Sequence, residues 1–244
     1  MSISKLDIFN VRNIERATLT PSPHLNFVIG PNGSGKSSLL EALYILGRAR
    51  SFRSSHAGQV IRFQQNELTV SGRCEAGGGL PSQTLVVRLG KREREIVIEG
   101  RKLQSSAELI ATLPALLIQP ASSALLENAP KHRRQFLDWG AFHTEPDYLT
   151  QWRGYVRALN QRNALLRQGL SRQAEQTWNH EMVRYGTMVA ESRERYVTKL
   201  TPFFMEACQH FLGSHPFELR LAAGWDRKID LLQALSAEDR KSVV

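Results

Sequence analysis

The stretch of sequence that decides the fold is LNFVIGPNGSGKSSLLEALYILG, at residues 25–47. It contains the pattern G-x-x-x-x-G-K-[ST], which is typical of phosphate-binding loops. The fixed positions of that pattern are filled by Gly30, Gly35, Lys36 and Ser37. The apolar run at residues 25–29 predicts a buried strand before the loop, and leucines at helical spacing predict a helix after it. The stretch therefore predicts a strand, a phosphate-binding loop (P-loop) and a helix in succession.

The residue types in this loop suit a nucleoside triphosphate. Gly33 and Gly35 carry no side chain, so the backbone can curl with its N–H groups around an anion. The N-terminus of the following helix adds the positive end of its dipole. Lys36 is suited to the β- and γ-phosphates and Ser37 to a magnesium ion. The predicted nucleotide-binding residues are Gly30, Pro31, Asn32, Gly33, Ser34, Gly35, Lys36 and Ser37.

Composition restricts the class of protein. The chain has 244 residues, of which 41% are hydrophobic and 23% charged, which allows one large domain or a domain with a subdomain. A net charge of +9 and a pI of about 9.9 favour a polyanionic partner. No segment approaches the roughly 18 apolar residues of a membrane span, and the N-terminus does not resemble a signal peptide. We therefore expect a cytoplasmic protein that does not associate with a membrane. Cys74 and Cys208 lack metal or redox spacing and are interpreted as packing residues.

Periodicity predicts strands first and helices afterwards. Short strands are expected over residues 2–29, and antiparallel strands over 67–103 with runs at 68–73, 84–89 and 95–98. A short helix is expected at 105–112 and a buried strand at 114–118. From residue 130 the apolar positions step by three and four, which predicts either an antiparallel helical hairpin with a coiled-coil-like seam or two amphipathic helices on a core. A kink or restart is expected at Pro202, a strand at 217–223 and a helical tail from Asp226.

Positive charge is concentrated between residues 131 and 172. Eight cations there outnumber three anions, which leaves +5. This excess indicates either a solvated helical face or a surface that binds a phosphate backbone, without base-specific recognition. The cations are Lys131, Arg133, Arg134, Arg153, Arg157, Arg162, Arg167 and Arg172, and the anions are Asp138, Glu145 and Asp147.

Three segments together resemble the RecF family of DNA-repair and replication ATPases, which are related to the SMC and ABC-type ATPases. The first is IFNVRNIE at 8–15. The second is residues 30–55, which run from the P-loop through an arginine-rich loop, GRARSFRSS at 47–55, and the third is the helical segment at 129–168. The resemblance implies an α/β fold: an ABC/SMC-like P-loop ATPase lobe with a mixed sheet, plus a helical lobe that resembles a coiled-coil stub. The corresponding boundaries are 1–128 for the N-terminal half of the ATPase lobe, 129–213 for the helical lobe, and 214–244 for the start of a return to the ATPase lobe.

The resemblance also implies a function. Members bind ATP with Mg²⁺, dimerise head to head on ATP, clamp DNA at gaps or single-/double-strand junctions, and work with RecO and RecR to help load RecA. They support replication-fork recovery and the SOS response. By similarity, Arg12 and Asn13 are expected near the phosphates, and Gln119 is a candidate Mg²⁺ ligand beside Ser37.

Two motifs that hydrolysis requires in this class are missing from the sequence. There is no signature loop of the S-G-G-Q type and no strand that ends in a di-acidic pair; the nearest imitation, IVIEG at 96–100 with Glu99, reads as an ordinary strand end. We therefore expect a C-terminally incomplete fold, weak nucleotide binding and little hydrolysis. We also expect an open apolar edge at 25–29, which would favour aggregation.

The sequence disfavours other P-loop enzymes and leaves one non-catalytic function open. A GTPase would need the strings N-K-x-D and D-x-x-G, and neither occurs; a small-molecule kinase rarely carries a long basic helical insert. A basic DNA-binding module that senses nucleotide without hydrolysing it differs from the ATPase mainly in turnover, and it remains open.

Overall fold

The computed structural model describes residues 2–75, 81–127, 130–168, 172–222, 224–225 and 229–235. The chain divides into two compact units, Met1–Gln119 and Pro120–Val244. The division follows Gln119, whereas the sequence placed the boundary after residue 128. Each unit has its own hydrophobic core.

In the described part of the first unit, six strands form one sheet, in which every neighbouring pair is antiparallel. Register places Ile8, Val70, Val87 and Ile96 in one row across four strands, and all four are buried. The antiparallel strands predicted from alternation are therefore confirmed. The strands are β1 Ser2–Val11, β2 Ile14–Leu19, β3 Glu67–Glu75, β4 Gln83–Gly90, β5 Arg94–Ile98 and β6 Arg101–Lys102. Their order across the sheet is β2-β1-β3-β4-β5-β6.

One long helix, α1 (Lys36–Arg48), packs on the apolar face of this sheet through Ile45 and Leu46. The close approach needs glycine in the sheet, because a Cβ at Gly72 would lie 2.5 Å from Leu46 Cδ2. A shorter helix, α2 (Ser106–Thr112), begins where predicted, and the Ser105 hydroxyl oxygen caps it by accepting from the Ala107 N–H at 3.2 Å. Because α1 begins directly after the P-loop and packs on the sheet, it fixes the position of the P-loop relative to the sheet.

Two predicted strands are not formed. Residues 25–29 are neither in a strand nor buried: Phe27 is 78% exposed and Ile29 is 90% exposed. Residues 114–118 likewise lack strand pairing, and Ile118 is 83% exposed. An apolar run predicts a buried strand only when neighbouring strands cover it, and none of the described strands pairs with either run.

The second unit is helical. Of the two arrangements that the sequence left open, the structure has the antiparallel hairpin: α5 (Tyr148–Gln168) and α6 (Arg172–Leu212) are linked by Gln151–Ser192 and Arg162–Asn179 hydrogen bonds. A restart at Pro202 is wrong, because α6 continues through Pro202 and ends at Leu212; a kink there stays a prediction. The described helices are α3 Ala124–Glu127, α4 Pro130–Thr144, α5 Tyr148–Gln168 and α6 Arg172–Leu212, with a 3₁₀ turn at Pro120–Ser123.

The end of the second unit differs from the predicted pattern. Residues 217–222 form no strand, so that prediction is wrong for the described residues. The helix predicted for the tail is present at residues 231–235, and residues 226–228 and 236–244 lie outside the described part. No helix of the described chain combines the length and apolarity that a membrane span needs.

Candidate nucleotide site and basic helical surface

Two glycines shape the P-loop through left-handed backbone geometry. Gly33 has φ of 82° and Gly35 has φ of 97°. Gly35 is the N-cap of α1 and provides no side-chain capping bond. The first backbone N–H groups of the helix can therefore donate to an anion bound at the loop. A Cβ at Gly33 would meet nothing within 4 Å, which leaves space beside the loop.

Lys36 and Ser37 lie on the first turn of α1, directly after the P-loop. The Lys36 ammonium donates to the carbonyl oxygens of Gly30 and Pro31, both at 2.7 Å, and phosphate oxygens can take the place of these acceptors. Ser37 is exposed on the first turn of α1, where its hydroxyl can serve as an oxygen ligand for Mg²⁺. Within the described residues no group of three or more His, Cys, Asp or Glu side chains could hold a metal. The positions of Lys36 and Ser37 are compatible with a nucleoside triphosphate, for which Ser37 would supply the oxygen ligand to Mg²⁺.

The structure brings Asn13 to the P-loop and ties Arg12 to the helix behind it. Asn13 Nδ2 donates to the Gly33 carbonyl at 3.0 Å. The Arg12 guanidinium makes a bidentate pair with Glu41 of α1, with both N–O distances at 2.9 Å. Direct contact of Arg12 and Asn13 with phosphates remains a prediction.

Sequence reasoning missed Glu41 and Ser38. Both are buried polar residues on α1, and both bond to the turn that holds Arg12 and Asn13. A signal was present, because Glu41 lies four residues before Ile45 and therefore on the helical face that enters the core. A carboxylate on that face requires a buried partner.

Gln119 and Glu99 lie in different surroundings. Gln119 is the half-buried last residue of the first unit, and its role as a Mg²⁺ ligand remains a prediction. Glu99 forms the turn between β5 and β6 with φ of 50°, and its carboxylate accepts from the Thr84 N–H. Its interpretation as an ordinary strand end is confirmed.

Most of the cations predicted on the helical lobe are exposed, but Arg162 is not. Arg162 is only 5% exposed, and its Nε donates to Asn179 Oδ1 at 2.6 Å, so its assignment to a surface that binds phosphates is wrong. The side chain of Arg172 lies outside the described part. The exposed cations are Lys131, Arg133, Arg134, Arg153, Arg157 and Arg167. They define what we call the basic helical surface.

Two of the three acidic residues in this region are already paired with cations of α6. Asp138 accepts from Arg193, with Nε at 2.9 Å, and from the Tyr148 hydroxyl at 2.6 Å. Glu145 accepts from Arg195 at 2.7 Å and from Lys199 at 2.8 Å. These carboxylates therefore do not offset the charge of the basic helical surface.

Comparison with known proteins places the chain in a family. A profile of the "RecF/RecN/SMC N terminal domain" matches residues 2–224. DNA replication and repair protein RecF of Pseudomonas aeruginosa LESB58 is 40% identical over 238 residues, which is 97% of this chain and 64% of the relative. RecF of Pseudomonas syringae pv. syringae B728a is also 40% identical over 238 residues, 97% of this chain and 65% of that protein. The chain thus spans about two thirds of the length of these relatives.

Solved structures show the same fold. A structure described as the recombination mediator protein RecF-ATP in the RecFOR pathway superposes with a TM-score of 0.82 at 21% identity, covering 96% of this chain and 66% of the other. A second RecF structure, described with ATPrS, has a TM-score of 0.77 at 23% identity and covers 86% of this chain and 58% of the other. The resemblance to RecF is confirmed, and the chain belongs to the RecF/RecN/SMC N-terminal domain family.

Proposed function

We propose that this chain binds ATP with Mg²⁺ at the P-loop and DNA at the basic helical surface, as part of a protein of recombinational repair and replication. The observation that carries the proposal is the P-loop itself. Gly33 and Gly35 have left-handed backbone conformations, the helix N-terminus has no side-chain cap, and the Lys36 ammonium contacts the loop carbonyl of Gly30. The similarity of RecF, including a RecF structure described with ATP, supports it. Mg²⁺ would screen phosphate charge at Ser37.

The finer function follows the family. We propose that the protein recognises gapped or junctional DNA, acts with RecO and RecR to assist RecA loading, forms an ATP-dependent homodimer, and serves the SOS response and fork recovery in the cytoplasm. The second candidate is a nucleotide-sensing DNA-binding module that does not hydrolyse ATP. It is favoured by the position of Glu99, which is engaged in a sheet turn and does not serve the P-loop.

The nucleotide site is tested by titration with a fluorescent ATP analogue and Mg²⁺. We expect saturable binding that Lys36→Ala abolishes, because the lysine is the site's main positive charge. Lys91→Ala is the matched control, since Lys91 is exposed in the turn between β4 and β5. Equal affinity of the Lys36→Ala variant and the unaltered chain would contradict the site.

The DNA surface is tested by measuring affinity for duplex DNA over a range of salt concentrations. Each phosphate contact contributes roughly 0.9 to the slope of log affinity against log salt. We expect a Lys131→Gln, Arg134→Gln, Arg157→Gln variant to lower the magnitude of that slope. A Lys91→Gln, Arg92→Gln, Arg94→Gln variant removes the same charge elsewhere and should change it less. Equal effects would indicate attraction by net charge alone. ATP turnover, measured in parallel, separates the ATPase from the nucleotide-sensing module.

A further inference from the structure

A fully buried carboxylate lies directly behind the P-loop. Glu41 of α1 is 0% exposed, and such a group is stable only when it is paired and hydrogen-bonded. Arg12 supplies Nε to Oε2 and Nη2 to Oε1, each at 2.9 Å, and the Ser51 hydroxyl donates to Oε1 as well. Burial alone would raise the pKa of Glu41, but the bonds from Arg12 and Ser51 outweigh it and hold the pKa below its ordinary value. Glu41 is therefore an anion at neutral pH.

The partner of Glu41 belongs to a tight turn that reaches the nucleotide loop. Arg12 and Asn13 are the two residues that join β1 to β2, since Val11 pairs with Ile14. Arg12 adopts a left-handed φ of 54°, which costs free energy in a residue with a long side chain. The bidentate bond to Glu41 helps to offset that cost, together with bonds from Arg12 Nη1 to the Gln59 carbonyl and from the Arg12 N–H to the Val60 carbonyl.

Asn13 transmits the position of the turn to the P-loop. Its Oδ1 accepts from the buried Ser38 hydroxyl at 2.8 Å, which directs Nδ2 toward the Gly33 carbonyl at 3.0 Å. The amide lies so close that a Cβ on Gly35 would be 3.3 Å from Nδ2. The orientation of the peptide after Gly33 therefore depends on Asn13, and a phosphate cradle depends on such peptide orientations.

The same carboxylate also holds the arginine-rich loop that follows α1. Ser51 Oγ accepts from the backbone N–H groups of Arg53 and Ser54 at 2.9 and 3.0 Å, while its own hydroxyl proton goes to Glu41. The Arg53 guanidinium is 3.9 Å from Glu41 Oε2. One side chain thus links the nucleotide helix, the Arg12–Asn13 turn and the arginine-rich loop.

We propose that Glu41 is a positioning residue of the nucleotide site: through Arg12 it sets Asn13 against the P-loop, and through Ser51 it couples nucleotide occupancy to the order of the arginine-rich loop. The inference rests on the proposed nucleotide binding. It concerns a fully buried residue, which would act on the nucleotide only through its neighbours.

The first test separates positioning from stability. Glu41→Gln keeps the shape but places an amide N–H against a guanidinium, and we expect affinity for the ATP analogue with Mg²⁺ to fall at least about tenfold. The double variant Arg12→Met, Glu41→Met replaces the pair with apolar side chains of similar size, which is often neutral for stability. We expect this variant to recover the unfolding temperature of the nucleotide-free protein without recovering affinity. Wild-type affinity in the double variant would overturn the proposal, because Glu41 would then be purely structural.

The second test measures coupling to the loop. Trypsin cleavage after Arg50 and Arg53, mapped by mass spectrometry, should slow when the unaltered protein is saturated with the analogue. In Glu41→Gln the cleavage should stay fast at saturating analogue. Equal protection in both proteins would overturn the coupling. Absence of any binding by the unaltered protein would instead overturn the nucleotide site, so the two failures are distinguishable.

Discussion

Gly140 of α4 lies directly against the ring of Tyr196 in α6, so that a Cβ on Gly140 would be 2.0 Å from Tyr196 Cζ. Tyr196 is 9% exposed, and burial raises the pKa of its hydroxyl, which agrees with a ring enclosed by the helices. The contact joins α4 to the long hairpin. The second unit therefore depends on a glycine at this crossing.

We expect Gly140→Ala to lower the unfolding temperature of the helical unit. Overpacking costs about 1–3 kcal/mol, against about 1 kcal/mol gained in helix propensity, and the buried ring has little room to move. Thermal unfolding followed by circular dichroism measures the effect. Tyr196→Leu in the Gly140→Ala background should restore part of the loss. Gly186→Ala is the control, since its Cβ would lie 3.3 Å from Leu231 Cδ2 and 3.5 Å from the Tyr155 ring, far less crowded than the 2.0 Å at Gly140; an equal loss there would contradict the packing argument.

A second prediction concerns the P-loop glycines. Alanine at Gly33 or Gly35 is strained by the positive φ, but only the Gly35 Cβ would also meet the Asn13 amide. We expect Gly35→Ala to weaken binding of the ATP analogue more than Gly33→Ala does. Titration of both variants checks this order. Gly33→Asn should bind the analogue better than Gly33→Ala, since Asn tolerates left-handed geometry. If Gly33→Ala bound more weakly than Gly35→Ala, or Gly33→Asn more weakly than Gly33→Ala, the prediction would be wrong.

Features that depend on a short stretch of sequence could be predicted, and features that depend on distant residues could not. The glycine pattern predicted the P-loop, and alternation predicted β3, β4 and β5, because side-chain period alone determines these features. The strands predicted at residues 25–29 and 114–118 were wrong, because burial of an apolar run depends on strands that come from elsewhere in the chain. No local pattern contains that information.

Arg162 shows a different limit. The apolar positions that step from 149 to 166 predicted which face of α5 forms the seam, and that choice left Arg162 on the outside. In the structure Ala158 and Arg162 are buried, four residues apart, and Asn179 of α6 accepts from the guanidinium. The seam is shifted by one position relative to the predicted one. Glu41 is a similar case, in which a charged residue occupies a core face because its partner is supplied by a distant turn.

A third prediction concerns pH. Hydrogen bonds from Lys199, which has the larger effect, and from Arg195 hold the pKa of Glu145 below its ordinary value. A carboxyl whose pKa is lower in the folded state stabilises the fold above the unfolded pKa, about 4.3, and loses that contribution as pH falls through the folded pKa. We expect Glu145→Gln to be less stable than the unaltered protein at pH 7, with the difference shrinking below about pH 4. Urea unfolding from pH 7 to pH 3 measures it.

The control for this prediction is Glu206→Gln, which removes an exposed carboxyl from the same helical unit. It should change stability little at either end of the pH range. A Glu145→Gln difference that grows toward acid pH would have the wrong sign and would refute the role assigned to the Lys199 and Arg195 pairs.

The last prediction concerns the exposed apolar run at residues 25–29. Phe27 and Ile29 are 78% and 90% exposed, Val28 between them is 40% exposed, and a consecutive exposed apolar segment of this kind promotes association. We expect Phe27→Thr, Ile29→Thr to raise the monomer fraction of this 244-residue chain in size-exclusion chromatography and to lower its light scattering. The unfolding temperature should stay unchanged, because neither side chain is in a core. Phe63→Thr is the control: Phe63 is 85% exposed but stands alone between polar neighbours, and isolated apolar residues are normal on surfaces. Equal improvement by the control would mean that exposed aromatic area in general, and not this run, drives association.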